Sequence, residues 1–356
     1  MGEKALIAMS GGVDSSVAAL LAKQLGYECI GCTMKLYDNE DAGIQKGHTC
    51  CSLDDVEDAR SVAVNLKMPY YVFNFKDGFK EKVINRFIDS YQNGMTPNPC
   101  IDCNRYMKFD KLFERARQLG CLKVVTGHYA RIEENNGEYF LKKALDPSKD
   151  QSYVLYNLTQ EQLSMILFPL GGMPKTKTRQ IAEENGFINS KKHDSQDICF
   201  VPDGDYASAL KRLSGKEAKP GDFVLSDGTK IGKHKGIICY TVGQRRGLGI
   251  SAKNSLYVLK ISPEDNTVTL GEKDELFSSE AHLYDLNWIS GKAPLGETRC
   301  KVKIRYRQTE QPATVIPSDD DKAMVIFDEP QRAVTPGQSA VFYDGDVVLG
   351  GGIISR

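Results

Sequence analysis

Two groups of residues in this 356-residue chain have types and spacing that could do chemistry. The first is Ser10-Gly11-Gly12-Val13-Asp14-Ser15-Ser16. It follows the apolar run Ala5-Leu6-Ile7-Ala8-Met9, which reads as a buried strand, and precedes a run from Val17 to Ala22 that reads as a helix. Glycine lets a chain turn at positive φ and pass close to a ligand. The first N–H groups of the helix, with its dipole, would then face an anion such as a phosphate. The Gly-Lys-Ser/Thr of a Walker loop is absent, so the stretch does not predict γ-phosphate transfer.

The second group is three thiols. Cys100 and Cys103 form Cys-Ile-Asp-Cys within Asn98–Asn104, where Pro97 and Pro99 predict a rigid loop rather than a helix. Cys199 follows the basic Lys191-Lys192-His193, and nearby positive charge raises a thiol's thiolate fraction. Alone, Cys-x-x-Cys reads as half of a zinc site or as a redox pair. A zinc site wants a second close pair. Cys29 and Cys32 have that spacing but fall on a predicted strand, pointing to opposite faces, and Cys50-Cys51 are adjacent.

Elements must bring these groups together. Strands are predicted at 29–34, 70–75 and 122–126, and helices from 54, over 79–91 and over 178–185. Alternation of this kind argues an α/β fold with a doubly wound parallel sheet. Ligands in such sheets sit at the C-terminal strand ends, where Gly11, Met34 and Gly127 fall. A polar hairpin turns at Glu133–Glu138, and beyond Pro202 short strands alternate with glycine turns. Breaks near 205 and 280 give three units, 1–205, 206–279 and 280–356.

Composition narrows the partners. At 41% hydrophobic the chain can bury a substantial core, and a net charge of −1 means that any nucleic-acid site is local. No apolar run approaches the ~20 residues that span a bilayer. The chain start runs straight into a strand, so no secretory signal is expected. Ten cysteines without one predict a reducing, cytoplasmic setting. In Arg299–Arg307 every odd position is basic, so a strand there would carry Arg299, Lys301, Lys303, Arg305 and Arg307 on one face. That stripe suits a phosphate backbone. Lys175–Arg179, Lys230–Lys235 and Arg245-Arg246 could extend it.

Ser-Gly-Gly-Val-Asp-Ser resembles the PP-loop of the ATP pyrophosphatases. Further blocks follow in order: Thr126–Arg131, Lys149–Tyr153, Cys199 in Asp194-Ser195…Ile198-Cys199-Phe200, Tyr240–Gly247 and Arg305–Gln308. The set resembles the tRNA-specific 2-thiouridylase family over essentially the whole chain. The resemblance implies a PP-loop domain, a small central domain and a C-terminal β-barrel-like domain that contacts tRNA. It implies ATP and Mg²⁺, with Asp14 a candidate ligand, and no membrane. Ala8, Met9, Ser10, Gly11, Gly12, Val13, Asp14, Ser15, Met34 and Gly127 would lie at ATP. His128, Lys149, Asp150, Gln151, Arg305, Tyr306 and Gln338 would lie at a tRNA anticodon stem-loop with a wobble uridine.

The implied reaction adenylates the uridine C2 oxygen and replaces it with sulfur, releasing AMP and pyrophosphate. Cys199 would carry a persulfide received from a sulfur donor or relay protein. Cys103 would attack the base or release the sulfur. One common form of the family has an aspartate where this chain has Cys100. The resulting thiol trio, Cys100, Cys103 and Cys199, opens a second route through a [4Fe-4S] cluster. Two other classes are a PP-loop ligase acting on a small molecule and a catalytically idle RNA-binding module.

Overall fold

The computed structural model describes residues 2–38, 53–192, 198–201, 204–319 and 321–356. His48, Cys50, Cys51, His193 and Asp194–Asp197 lie outside the described residues.

Strands β1 (Lys4–Ala8), β2 (Glu28–Lys35), β3 (Tyr70–Asn74) and β4 (Lys123–Val125) are the expected ones, to within a residue or two at each end. The hairpin β5 (Arg131–Asn135) and β6 (Glu138–Lys142) and the short β7 (Ile166–Leu167) follow. The main sheet is parallel throughout, in the order β3-β2-β1-β4-β7. It is covered on both faces. Ala5, Ile7 and Cys29 pack with the helices Val13–Gln24 and Leu53–Asn65, whereas Leu6, Ile30 and Cys32 pack with helical residues 76–92 and 99–118. Cys29 and Cys32 therefore face opposite ways, as alternation requires. Burial pushes the Cys29 thiol up to about 11 and the Cys32 thiol higher still, which suits packing groups rather than nucleophiles.

The loop expected around Cys100 is instead helical. Asn98 accepts the Cys100 N–H at 3.2 Å as an N-cap, and Pro99 takes the first helical position, where a missing N–H costs nothing. The chain then widens into π geometry over Cys103–Lys111 and continues as α-helix through Gln118. A helix at Tyr206–Ser214, closed by Gly215 at φ 66°, was not predicted from the sequence. Its Ala209 and Leu210 pack onto the first domain's core.

The central unit is a four-stranded sheet of β8 (Gly221–Leu225), β9 (Lys230–His234), β10 (Tyr257–Ser262) and β11 (Thr267–Gly271), ordered β10-β11-β8-β9. The last unit holds β12 (Phe277–Trp288), β13 (Thr298–Lys303), β14 (Gln311–Asp319), β15 (Lys322–Arg332), β16 (Ser339–Asp344) and β17 (Val347–Ile354). They run β12-β15-β14-β13-β16-β17, and β17 pairs back to β12, closing a six-stranded antiparallel barrel. The β5–β6 hairpin turns on Asn136 and Gly137, both at positive φ, and joins this barrel where Lys142 pairs with Val347.

The basic stripe is shorter than alternation over 299–307 predicts. Strand β13 ends at Lys303, so Arg305 and Arg307 lie in the turn after it. Among the described residues no helix is long and apolar enough to cross a membrane.

Candidate active site

The glycine loop ends β1 and starts the helix Val13–Gln24. Gly11 sits at φ 74°, and a Cβ on it would overlap the Asp55 carbonyl oxygen. Only glycine meets both demands. Gly12 caps the helix without any side-chain hydrogen bond, leaving first-turn N–H groups directed outward for an anion. Ser15 Oγ accepts from Ser10 N at 3.2 Å and donates to Gly12 O at 3.0 Å, fixing the loop's curvature. Met9 and Val13 are buried beneath it, and Ala8 and Met34 pack at the edge of the neighbouring core. Gly127, at the end of β4, permits the closest approach. A Cβ there would lie 2.8 Å from Asp14 C and from Ser15 N.

Four residues hold this loop that sequence reasoning placed elsewhere or missed. Lys175 was grouped with a surface patch, but it is only 8% exposed and donates to both Asp14 carboxylate oxygens at 2.6 and 2.8 Å. Tyr129 donates to Asp14 Oδ1 at 2.9 Å. Asn189 donates to Gly11 O and to Ser16 Oγ, each at 2.9 Å. Lys192 was read as a charge beside Cys199. It binds Asp55 and Asp58 instead, at 2.6 and 2.7 Å, and so buttresses the loop from below. The signal for Lys175 was its place at the start of a helix after Pro174, but nothing local in the sequence points that helix at Asp14.

Cys100 is exposed and Cys103 partly buried, one helical turn apart. Cys199, partly buried, packs with Cys103 against the same core, and its carbonyl accepts from Tyr37 at 2.8 Å. Phe200 beside it stands edge-on to Phe79 and Phe87, which anchors the segment to the helix that precedes Cys100. Among the described residues no three His, Cys, Asp or Glu side chains lie close enough to hold a metal ion. Cys100, Cys103 and Cys199 therefore do not form a cluster-ligand set in this structure.

The residues expected at RNA fall into distinct settings. Tyr306 is 37% exposed and donates to Asp150 O at 3.2 Å, with Lys303 Nζ 5.7 Å from its ring centre. Cys100 and Asp150 are among the charges that, after burial, push the Tyr306 hydroxyl up, which puts Tyr306 beside the cysteine helix. Asp150 closes its own turn by accepting from Ala144 N and Ser152 N, next to Lys149. Gln151 exchanges two 2.9 Å bonds with the Tyr129 backbone. Arg305 is turned inward, with Nη2 donating to Val242 O, Ala333 O and Thr335 Oγ1. Gln338 donates to Thr96 O at 2.7 Å, linking the barrel to the loop that leads into Cys100. His128 is 7% exposed, between the rings of Phe109 and Phe168.

Three family models match the chain in order: a tRNA methyl transferase HUP domain over residues 3–203, a tRNA methyl transferase PRC-barrel domain over 209–272 and an aminomethyltransferase β-barrel domain over 278–354. The chain is 51% identical to the tRNA-specific 2-thiouridylase MnmA of Clostridioides difficile, covering 100% of this chain and 99% of that one. It is 52% identical to the tRNA-specific 2-thiouridylase MnmA of Acetivibrio thermocellus, over 99% of each. Among solved structures, a 4-thiouridine synthetase in complex with RNA and ATP matches 60% of this chain and 50% of that chain at 22% identity, with a TM-score of 0.38.

Proposed function

The chain belongs to the tRNA-specific 2-thiouridylase family, and from that premise we propose how its residues divide the work of thiolating a tRNA uridine with ATP. The observation that carries the reading is the uncapped helix start at Gly12, closed over by Gly127 and anchored through Asp14. Such a start holds the leaving pyrophosphate while the uridine C2 oxygen attacks the α-phosphorus. The bond from that phosphorus to the bridging oxygen breaks, and pyrophosphate leaves with the electron pair. Mg²⁺ accompanies the triphosphate as its counter-charge. Asp14 enters that site already paired with Lys175, so its part is to hold the loop as much as to bind metal.

Sulfur arrives by a persulfide on Cys199, loaded by a donor protein. Its terminal sulfur attacks C2 and AMP departs with the C–O electron pair. Cys103 thiolate then attacks Cys199 Sγ, the S–S bond to the base-bound sulfur breaks, and a Cys103–Cys199 disulfide remains for an external thiol to reduce. The two cysteines share one core surface, which supports this division. The methyl-transferase wording of the family models names a different transfer. A phosphate loop in the same domain as two thiols that share one core surface suits adenylation and sulfur delivery. Cys100, one turn from Cys103, keeps one rival open, a [4Fe-4S] route, although the three thiols are not gathered as a ligand set here.

The tRNA anticodon stem-loop would lie across Lys149–Gln151, Tyr306 and the exposed barrel cations, in a cytoplasmic setting. Incubation with ATP, Mg²⁺, unmodified tRNA and a sulfide source tests the reading. We expect tRNA-dependent pyrophosphate release and 2-thiouridine. Pyrophosphate release without tRNA would favour a small-molecule ligase, and no ATP turnover would favour an RNA-binding module. Iron and acid-labile sulfide in active, anaerobically purified protein would replace the persulfide route by the cluster.

A further inference from the structure

Lys108 has no part in any assignment above, yet its position is unusual. It lies five residues after Cys103, inside the π segment Cys103–Lys111. In α geometry a five-residue step leaves two side chains well apart around the axis. The wider π turn, with i→i+5 bonds, brings position 108 round toward position 103. The Lys108 ammonium then reaches His128 Nε2 at 3.3 Å. His128 follows Gly127, the residue packed against Asp14 and Ser15 at the start of the loop helix. One end of the Lys108 side chain is thus on the thiol helix, and the other is one residue from the closure of the phosphate loop.

The histidine is built to hold this cation. Burial, and then Lys108 itself, keep the His128 imidazole well below its usual range, so the ring is neutral. Its Nδ1 lies 2.7 Å from the buried Thr126 Oγ1. A neutral ring with the proton on Nδ1 donates there and offers the Nε2 lone pair to the lysine. The Phe109 and Phe168 rings, with centres 5.9 and 5.7 Å away, fix the imidazole plane. The partner is neutral, so the ammonium's charge is aimed without being cancelled.

We propose that Lys108 is a catalytic residue of the adenylation step, contacting the non-bridging oxygens of the ATP α-phosphate, and that His128 is a positioning residue for it. This rests on the ATP-dependent thiolation proposed above. Lys108 stabilises charge that develops as the uridine C2 oxygen bonds to phosphorus and pyrophosphate leaves, and later the departing AMP, while the uridine N3 proton passes to water. Preorganised charge of this kind is worth roughly 10²–10³ in rate.

The test is single-turnover, tRNA-dependent pyrophosphate release at saturating ATP and tRNA, with tRNA affinity measured separately across a salt series. Lys108→Met keeps the stem and removes the charge. We expect release to slow by about 10²-fold or more, with tRNA affinity and its salt slope unchanged. His128→Gln retains an acceptor for the lysine and should keep a measurable part of the rate, whereas His128→Leu should match Lys108→Met. A wild-type rate in Lys108→Met overturns the inference. So does weakened tRNA binding with an unchanged rate at saturation, which would make the pair an RNA contact. Absence of turnover in the wild-type protein would sink the thiolation reading itself, a different result from either.

Discussion

Asp102 stands between the two thiols of Cys-Ile-Asp-Cys but belongs to the other side of the helix. It lines a cavity of about 300 Å³ between this helix and the barrel, with Arg86, Arg105, Asn157 and Asp285. Burial pushes its carboxyl up to about 6, against the opposing pull of Arg86, whose Nε is 3.4 Å away. A carboxyl raised on folding favours its protonated form. Its ionisation therefore weakens the fold as pH climbs from about 4 to about 6, and the cost is complete above that window. Asp102→Asn carries no charge to bury. We expect it to be more stable than the parent at pH 7.5, by on the order of 2 kcal/mol, and to lose that advantage at pH 4. Equal denaturation midpoints for the two proteins at pH 7.5 would refute this. Lys175 gives the opposite case. Lys175→Met leaves Asp14 facing a vacated partner, so stability should fall by about 1–3 kcal/mol and the ATP requirement should rise. Thermal melts with and without ATP would show both effects.

At the scale of elements, the helix that carries Cys100 and Cys103 was the least legible part of the site. Pro97 and Pro99 argue against a helix interior, and that argument is sound for an interior. Here Pro99 occupies the first helical position and Asn98 supplies the cap. The Asn-Pro pair is thus a start signal as much as a breaker. Asn98→Ala should cost about 1 kcal/mol. Fraying would begin at Cys100, so its rate of alkylation should rise relative to that of Cys103. An unchanged ratio of the two rates would argue that the barrel loop, not the cap, holds the turn. The parallel sheet was readable because β1 and β2 are apolar on both faces, which is how a strand covered by helices on both sides must look. The π widening over Cys103–Lys111 leaves no comparable mark. It depends on tertiary contacts such as Asn104 donating to Val154 O at 2.8 Å.

The three units meet around the loop that enters Cys100, and this meeting decides what the barrel's basic residues do. Thr96 N donates to Pro336 O at 2.8 Å, Gln338 donates back to Thr96 O, and Thr96 Oγ1 donates to Thr241 Oγ1 of the central unit at 3.3 Å. Arg305 belongs to the same junction, bonding Val242 O from the barrel side. Period-two spacing found five cations in 299–307 but could not tell which would face solvent, because that depends on where β13 ends and what docks against it. Arg299 is paired with Asp328, Lys303 lies over Tyr153 and Tyr306, and Arg305 is turned inward. Lys301 and Arg307 remain exposed. Phosphate contacts release counterions, so each one removed lowers the salt slope of log K by roughly 0.7–0.9. The double variant Lys301→Ala, Arg307→Ala should therefore flatten the slope for tRNA by about 1.5 and leave the melting temperature unchanged. Arg305→Ala should do the reverse. It removes the donor to Val242 O and Thr335 Oγ1, while Ala333 O keeps its bond from Thr335 Oγ1; it lowers the melting temperature by several degrees at about 1–3 kcal/mol, and keeps the salt slope. If Arg305→Ala instead reduces the slope while melting like the parent, its guanidinium must swing out of the junction to meet phosphate when tRNA binds.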